Sequence, residues 1–223
     1  MRQGQYAAQE RLPRESVLAE QMNISRTQLW DILASLEREG FITRRHGVGT
    51  IINHHVLGVA TRMDIEVEFL DMIRRCGYEA GIKSVRVWEK VSDAQVANQL
   101  QIEEGTPVIQ ISRVCTANGQ SVIYCVDTVE RARVQDGYTQ ADLELPVFHF
   151  LRHFCGIVPY MDLTNLRSVT AQGELAEIFG VDEGTPLIKM EEVNYDIEGK
   201  AVFCSTEYFR DDIIPLTVMR KRL

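Results

Sequence analysis

Two stretches of this chain repeat each other. LQIEEGTPVIQISRV, from Leu100 to Val114, aligns with FGVDEGTPLIKMEEV, from Phe179 to Val193. NGQSVIYCVDTV, from Asn118 to Val129, aligns with EGKAVFCSTEYF, from Glu198 to Phe209. Each copy reads as helix, Gly-Thr-Pro turn, strand, turn, strand. Two hairpins of similar shape belong in one antiparallel sheet or barrel, so the body of the chain is predicted to be α+β.

Strand alternation then says which side chains share a face. In the first copy Arg113 falls on the face of Ile109 and Ile111, and Asp127 on that of Ile123 and Cys125. In the second copy Glu192 falls with Ile188 and Met190, and Glu207 with Phe203 and Phe209. Asp127 and Glu207 are equivalent positions of the repeat. Charges on apolar faces are costly unless they are paired or offered to a ligand. Two readings follow: internal salt bridges, Arg113 with Glu192 for instance, or a polar pocket between the halves for a small charged metabolite.

Ahead of this body lies a different pattern. Leu29, Ile32, Leu33 and Leu36 recur at helical spacing, which predicts a helix over Arg26–Arg38 with that face inward. Ser25 with Gln28 three residues on is a capping-box pattern, and Gly40 suits a left-handed stop. A shorter helix is marked upstream by Val17, Leu18 and Met22, and Asn23 tolerates the positive φ of a tight connection. FITRR and TII then flank His46-Gly47-Val48-Gly49, a hairpin turn. Helix, turn, helix and basic hairpin make the layout of a winged helix-turn-helix.

Charge agrees with two modules. Net charge is −8, yet the first 55 residues hold seven arginines against six carboxylates. The remainder holds 17 basic and 26 acidic residues. A near-neutral head on an acidic body implies different partners for each. No apolar run approaches the roughly 18 residues of a membrane span, and the N-terminus lacks the apolar core of a secretory signal. Five scattered cysteines without a C-x-x-C pair argue for a reducing cytoplasm. The predicted boundaries are a head over 1–55, a linker over 56–63 and a body over 64–223, with an amphipathic helix from Met63 to Arg75 that ends at Gly77.

LPRESVLAEQMNISRTQLWDILASLEREGFITRRHGVGT resembles the winged helix of GntR-family regulators over about forty positions. The family pattern runs L-P-S-E-R-E-L-A-E, V-S-R-T-T-V-R-E-A-L, L-E-x-E-G and R-x-G-x-G-T. That resemblance implies a DNA-facing set of Arg14, Ser25, Arg26, Thr27, Gln28 and Trp30 from the helices. From the wing it adds Arg44, Arg45, His46 and Gly47. This chain departs from the pattern where Arg14, Ser16, Trp30 and Val48 replace a serine cap, two arginines and a basic wing residue. Each lost arginine removes a phosphate or guanine contact. Trp30, off the packed face, either stacks on DNA or packs against another protein segment. Family members carry a further helix before this point, and here MRQGQY stands almost at its end.

The body, over roughly 64–223, resembles the UTRA domain of the HutC subfamily, a chorismate lyase-like fold. Its marks are the doubled G-T-P turn and STEYFRDD. The resemblance implies an effector pocket of Ser84, Arg113, Asp127, Arg167, Glu207 and Tyr208. Cys115 stands where the family often has a second arginine, which weighs against a phosphorylated effector. His149 with His153, and His54 with His55, lack carboxylate or thiol ligands at suitable local spacing, so neither a metal nor a cofactor is expected. No nucleophile, phosphate loop or dinucleotide fingerprint is present.

The whole reads as a dimeric, metabolite-responsive bacterial transcription regulator that binds double-stranded operator DNA. Alternatives are a small-molecule sensor that has lost DNA binding and a chorismate lyase-like enzyme using Asp127 and Glu207.

Overall fold

The computed structural model describes Tyr6 and residues 8–221, which divide into two compact units, Met1–Ala60 and Thr61–Leu223. In the first, α1 (Glu15–Met22) and α2 (Arg26–Arg38) are joined through Asn23, which takes the left-handed conformation at φ 52°. Ser25 caps α2 as its sequence predicts. Its hydroxyl accepts from the Gln28 N–H, and the Gln28 side chain accepts from the Ser25 N–H. Strands β1 (Ile42–Arg45) and β2 (Gly49–Ile52) pair antiparallel around the expected turn, with Gly47 and Gly49 at positive φ. Residues 10–12 add to the outer edge of β2, where the Leu12 N–H bonds the Thr50 carbonyl and the Ile52 N–H bonds that of Glu10.

Leu18, Ala19, Leu29, Leu33 and Ile42 form the core of this unit. Ile32 does not join it; at 41% exposed it corrects the inward face expected of it. The packed neighbours cover a stripe centred on Leu29 and Leu33, narrower than the apolar arc of the sequence. The shortened first helix inferred from MRQGQY, residues 1–6, falls outside the described residues but for Tyr6.

The second unit is built on a six-stranded antiparallel sheet in the order β3-β4-β5-β8-β7-β6. Its strands are β3 (Ala80–Val91), β4 (Pro107–Ala117), β5 (Gln120–Glu130), β6 (Met161–Thr170), β7 (Pro186–Tyr195) and β8 (Ala201–Phe209). The two repeats meet at the central β5–β8 pair, where Asp127 stands opposite Ser205. Each half also contains a preceding strand, so the duplicated unit is strand, helix, hairpin. Helices α5 (Ala94–Leu100) and α8 (Glu174–Phe179) cover one sheet face through Val96, Leu100, Ala176 and Phe179. Helices α4 (Phe69–Arg75), α6 (Gln140–Leu143) and α7 (Val147–Phe154) cover the other through Met72, Ile73, Leu143, Phe150 and Leu151. A four-residue α3 (His54–Leu57) ends the first unit's regular structure.

The Gly-Thr-Pro turns show how closely one half copies the other. Gly105 and Gly184 sit at φ 85° and 88°, a conformation that β-carbons disfavour, which is why glycine stands there twice. In each turn the threonine hydroxyl donates over 2.7 Å to a carbonyl three residues back, Glu103 or Asp182. The Ser92 N–H bonds the Thr106 carbonyl and the Ala171 N–H that of Thr185, both at 2.8 Å.

Two expectations change here. The helix predicted from Met63 begins only at Phe69. Ile65, Val67 and Phe69 alternate with Glu66 and Glu68, a period-two pattern that favours extended chain, and Arg62 bridges in parallel to Thr217. Within the stretch read as linker, Thr61 and Arg62 are buried in the second unit, the Thr61 hydroxyl bonding the Pro215 carbonyl.

Candidate effector cavity and nucleic-acid interface

The segment from Arg62 to Phe69, which turns at Met63 and Asp64, lies over the sheet face that carries the inward charges, and a cavity of about 260 Å³ lies between them. Asp127, Glu192, Ser205 and Glu207 line its sheet side, with Phe148 of α7 and Phe203 beside them. Glu66 and Glu68 line it from the overlying segment.

Arg113 and Asp127, from neighbouring strands of the first repeat, form a buried ion pair, Nη1 to Oδ2 at 2.6 Å. Arg113 Nε donates to the Leu143 carbonyl over 3.0 Å, and buried Nη2 has no hydrogen-bond partner among the described residues. The salt bridge expected of Arg113 therefore exists, with Asp127 instead of Glu192 as partner. Burial raises the Asp127 carboxyl above its ordinary range despite the opposing pull of Arg113.

The matching positions of the second repeat are Glu192 and Glu207. Ile111 stands opposite Asp127 in the first repeat as Met190 stands opposite Glu207 in the second, so the register is the same. Here two carboxyls lie on adjacent strands of one sheet face, close enough for each to act on the other's ionisation. Burial, then Glu192 and Asp127, raise the Glu207 carboxyl well above its ordinary value; Glu192 is also raised, first by burial. Ser205 Oγ donates to Glu207 over 3.1 Å. Thr164 Oγ1 lies 2.9 Å from Asp162 and 2.8 Å from Glu192. One hydroxyl proton serves one of these two, so the hydroxyl accepts from the other when that carboxyl is protonated. Glu66 and Glu68 are each pushed up to about 7 by loss of solvent, with carboxylates near Glu66 adding to the effect.

Of the six expected effector residues, Asp127 and Glu207 line the cavity, and Arg113 is tied to it only through its pair with Asp127. The other three lie away from it. Tyr208 follows Glu207 on a strand and so points to the opposite face, where it stacks on Tyr124 at 6.1 Å beside α8. Ser84 is exposed on the face opposite Val85, the residue that packs inward. Arg167 is largely exposed and pairs with Glu191 at 3.6 Å, away from the cavity. The effector set that the resemblance implies lacks Glu192, Glu66, Glu68 and Thr164. Glu192 was visible as a charge on an apolar face, and the alternation of residues 65–69 was the signal for the glutamates above the cavity.

In the first unit, Arg14, Arg26 and Thr27 are exposed, as are Arg45, His46 and Gly47 of the wing. Ser25 and Gln28 spend polar atoms on the cap they form together. Arg44 is committed within the unit. Its Nε donates to Glu37 over 2.7 Å, and its guanidinium lies 5.4 Å from the centre of the Trp30 ring. A guanidinium held by a carboxylate and an aromatic face braces β1 against α2. Trp30 is 55% exposed. Arg11, which no motif singled out, donates to the Val48 carbonyl at the wing turn.

His153 Nδ1 lies 2.9 Å from the His149 carbonyl and the two rings stack, on a helix whose Phe150 and Leu151 are in the core. Among the described residues no three His, Cys, Asp or Glu side chains are placed to hold a metal ion. No helix among them is long and apolar enough to cross a membrane.

Comparison with known families matches residues 75–214 to the UTRA domain and residues 1–52 to the bacterial regulatory proteins of the gntR family. The HTH-type transcriptional regulator RB1450 of Rhizobium meliloti (strain 1021) is 26% identical over 219 residues, covering 96% of this chain and 88% of that protein. The HTH-type transcriptional repressor PhnF of Mycolicibacterium smegmatis is 23% identical over 207 residues, 93% and 83% of the two chains. The crystal structure of the possible transcriptional regulator YydK from Bacillus subtilis superposes with a TM-score of 0.76 at 19% identity, over 95% of this chain and 91% of that one.

Proposed function

This chain belongs to the UTRA-domain family and is a transcriptional regulator of GntR type, and we propose that it is a cytoplasmic, dimeric repressor released from its operator by a small metabolite. The observation that carries the effector part is the cavity, lined by buried Asp127 and Glu207 of one sheet face and by residues 62–69, with Arg113 paired to Asp127. Catalysis has no place in this reading. The dimer reading draws on the edge strand β6, which exposes Met161 and Leu163 on one face and Leu166 on the other along an edge otherwise open to pairing. A two-fold dimer reads a pseudo-palindrome whose half-sites lie about 34 Å apart. Arg26 and Thr27, exposed at the start of α2, are the base-reading residues of this proposal, with Arg14, Arg45 and His46 on the backbone.

Metabolite control follows if the effector has different affinity for the DNA-competent and DNA-incompetent arrangements. The test is fluorescence anisotropy of the full chain against DNA from upstream of its own gene and a shuffled duplex of the same composition, at two salt concentrations. Tighter binding to the native duplex at both salts is the expected result. Equal affinity for the two duplexes favours the sensor without an operator, a reading supported by the commitment of Arg44 to Glu37 and Trp30.

A further inference from the structure

The two halves of the sheet are built alike but charged differently. Arg113 and Glu192 occupy equivalent positions of the repeat, as do Asp127 and Glu207, in the same strand register. In the first half the acid meets a guanidinium at 2.6 Å. In the second half it meets another acid, and the position of the cation is left to the cavity. Glu207 is 4% exposed, and the cavity runs along it and Glu192. We propose that the effector is a small organic cation, an amine, amidine or guanidine, whose charged group docks at Glu192 and Glu207 as the Arg113 guanidinium docks on Asp127. This rests on reading the cavity as the effector site.

Three further observations agree. Asn194 lies two residues beyond Glu192 on the same face of β7, opposite Asp162 and Phe203, both of which line the cavity. It is 1% exposed, and neither end of its amide has a hydrogen-bond partner among the described residues. Asn194 is a neighbour of the cavity lining and not itself part of it, and a buried unmet amide there is costly unless a polar group comes within reach. The lining cation Arg62 is already paired with Asp64, so carboxyls outnumber cations around the space. No three of the acidic, histidine or cysteine side chains described are placed for a metal ion. Burial raises both the Glu207 and the Glu192 carboxyl, and a bound cation would pull both back down, so that binding releases protons to solvent.

The test is a thermal-shift screen of the full chain, read by Trp88, in a Trp30→Phe background. The probes are primary amines, amidines and guanidines small enough for the cavity, each beside the alcohol and the carboxylate of the same skeleton, at millimolar concentration. Cations are expected to raise the midpoint where their isosteres do not, with proton release seen by calorimetry in buffers of different ionisation enthalpy. Glu207→Gln, which keeps the size and hydrogen-bonding reach of the side chain without its charge, should weaken the cation's affinity about ten- to hundredfold. Glu192→Lys, which supplies the cation covalently, should abolish the response. Stabilisation by the carboxylates in place of the amines overturns the cation while leaving a metabolite sensor. Failure of every cation to shift the midpoint also overturns it. A cation that binds through Glu207 but leaves DNA affinity unchanged upholds the ligand class and instead refutes the sensor function.

Discussion

Replacing Arg113 by methionine isolates the buried ion pair. Arg113 and Asp127 have side chains 4% and 3% exposed, so removing the cation leaves a carboxylate with little water to answer it. Breaking a pair of this kind costs about 3–5 kcal/mol. The lone carboxylate has one escape, protonation. From its ordinary 3.8, that costs about 4 kcal/mol at pH 7, which caps its share of the penalty. The Leu143 carbonyl also loses its donor, for about 1 kcal/mol more. The expected loss is therefore about 4–5 kcal/mol at pH 7, shrinking by up to about 1.4 kcal/mol per unit as the pH falls. Arg113→Met with Asp127→Leu should recover most of it, because the charge that needs answering is gone. The chain has two tryptophans, one in each unit, so urea unfolding followed by Trp88 in a Trp30→Phe background reports the second unit alone. A penalty under about 1 kcal/mol, one unchanged between about pH 5 and 7, or a double variant costing the sum of its parts would refute the argument.

Arg26→Ala should cost about 1–3 kcal/mol on the operator and little on random DNA by anisotropy; equal losses on both would remove Arg26 from base reading. Ser25→Ala removes the side chain that accepts from the Gln28 N–H and should destabilise the first unit by about 1 kcal/mol, read by Trp30 in a Trp88→Phe background. Glu66 and Glu68 keep protons up to about 7 in the folded unit but release them near 4.5 when unfolded. The folded state thus binds more protons in that window, and the second unit should lose stability as the pH rises from about 4.5 through about 7. A Trp88 unfolding midpoint that rises over the same interval would contradict this.

Local grammar in the first unit was legible because its causes are local. Ser25 and Gln28 specify a cap within four residues, Asn23 and the glycines specify turns by their own φ, and Leu29 with Leu33 specify an inward stripe. Ile32 escaped that reading because how wide a stripe is covered depends on neighbours distant in sequence. Arg44 escaped it for the same reason: its partners, Glu37 and Trp30, lie seven and fourteen residues upstream.

In the body, the repeat alone determined the paired hairpins, the Gly-Thr-Pro turns and the face on which Arg113, Asp127, Glu192 and Glu207 lie. Period-two geometry also excludes Tyr208 from the face of Glu207, a constraint the family resemblance overrode. What the sequence could not say is which of those four charges meet. A strand's alternation fixes the side of the sheet, whereas pairing depends on register between strands and on the segment laid over them. Only the tertiary structure gave Asp127 its arginine, left Glu207 facing Glu192, and drew residues 62–68 out of a helix to close a cavity above them.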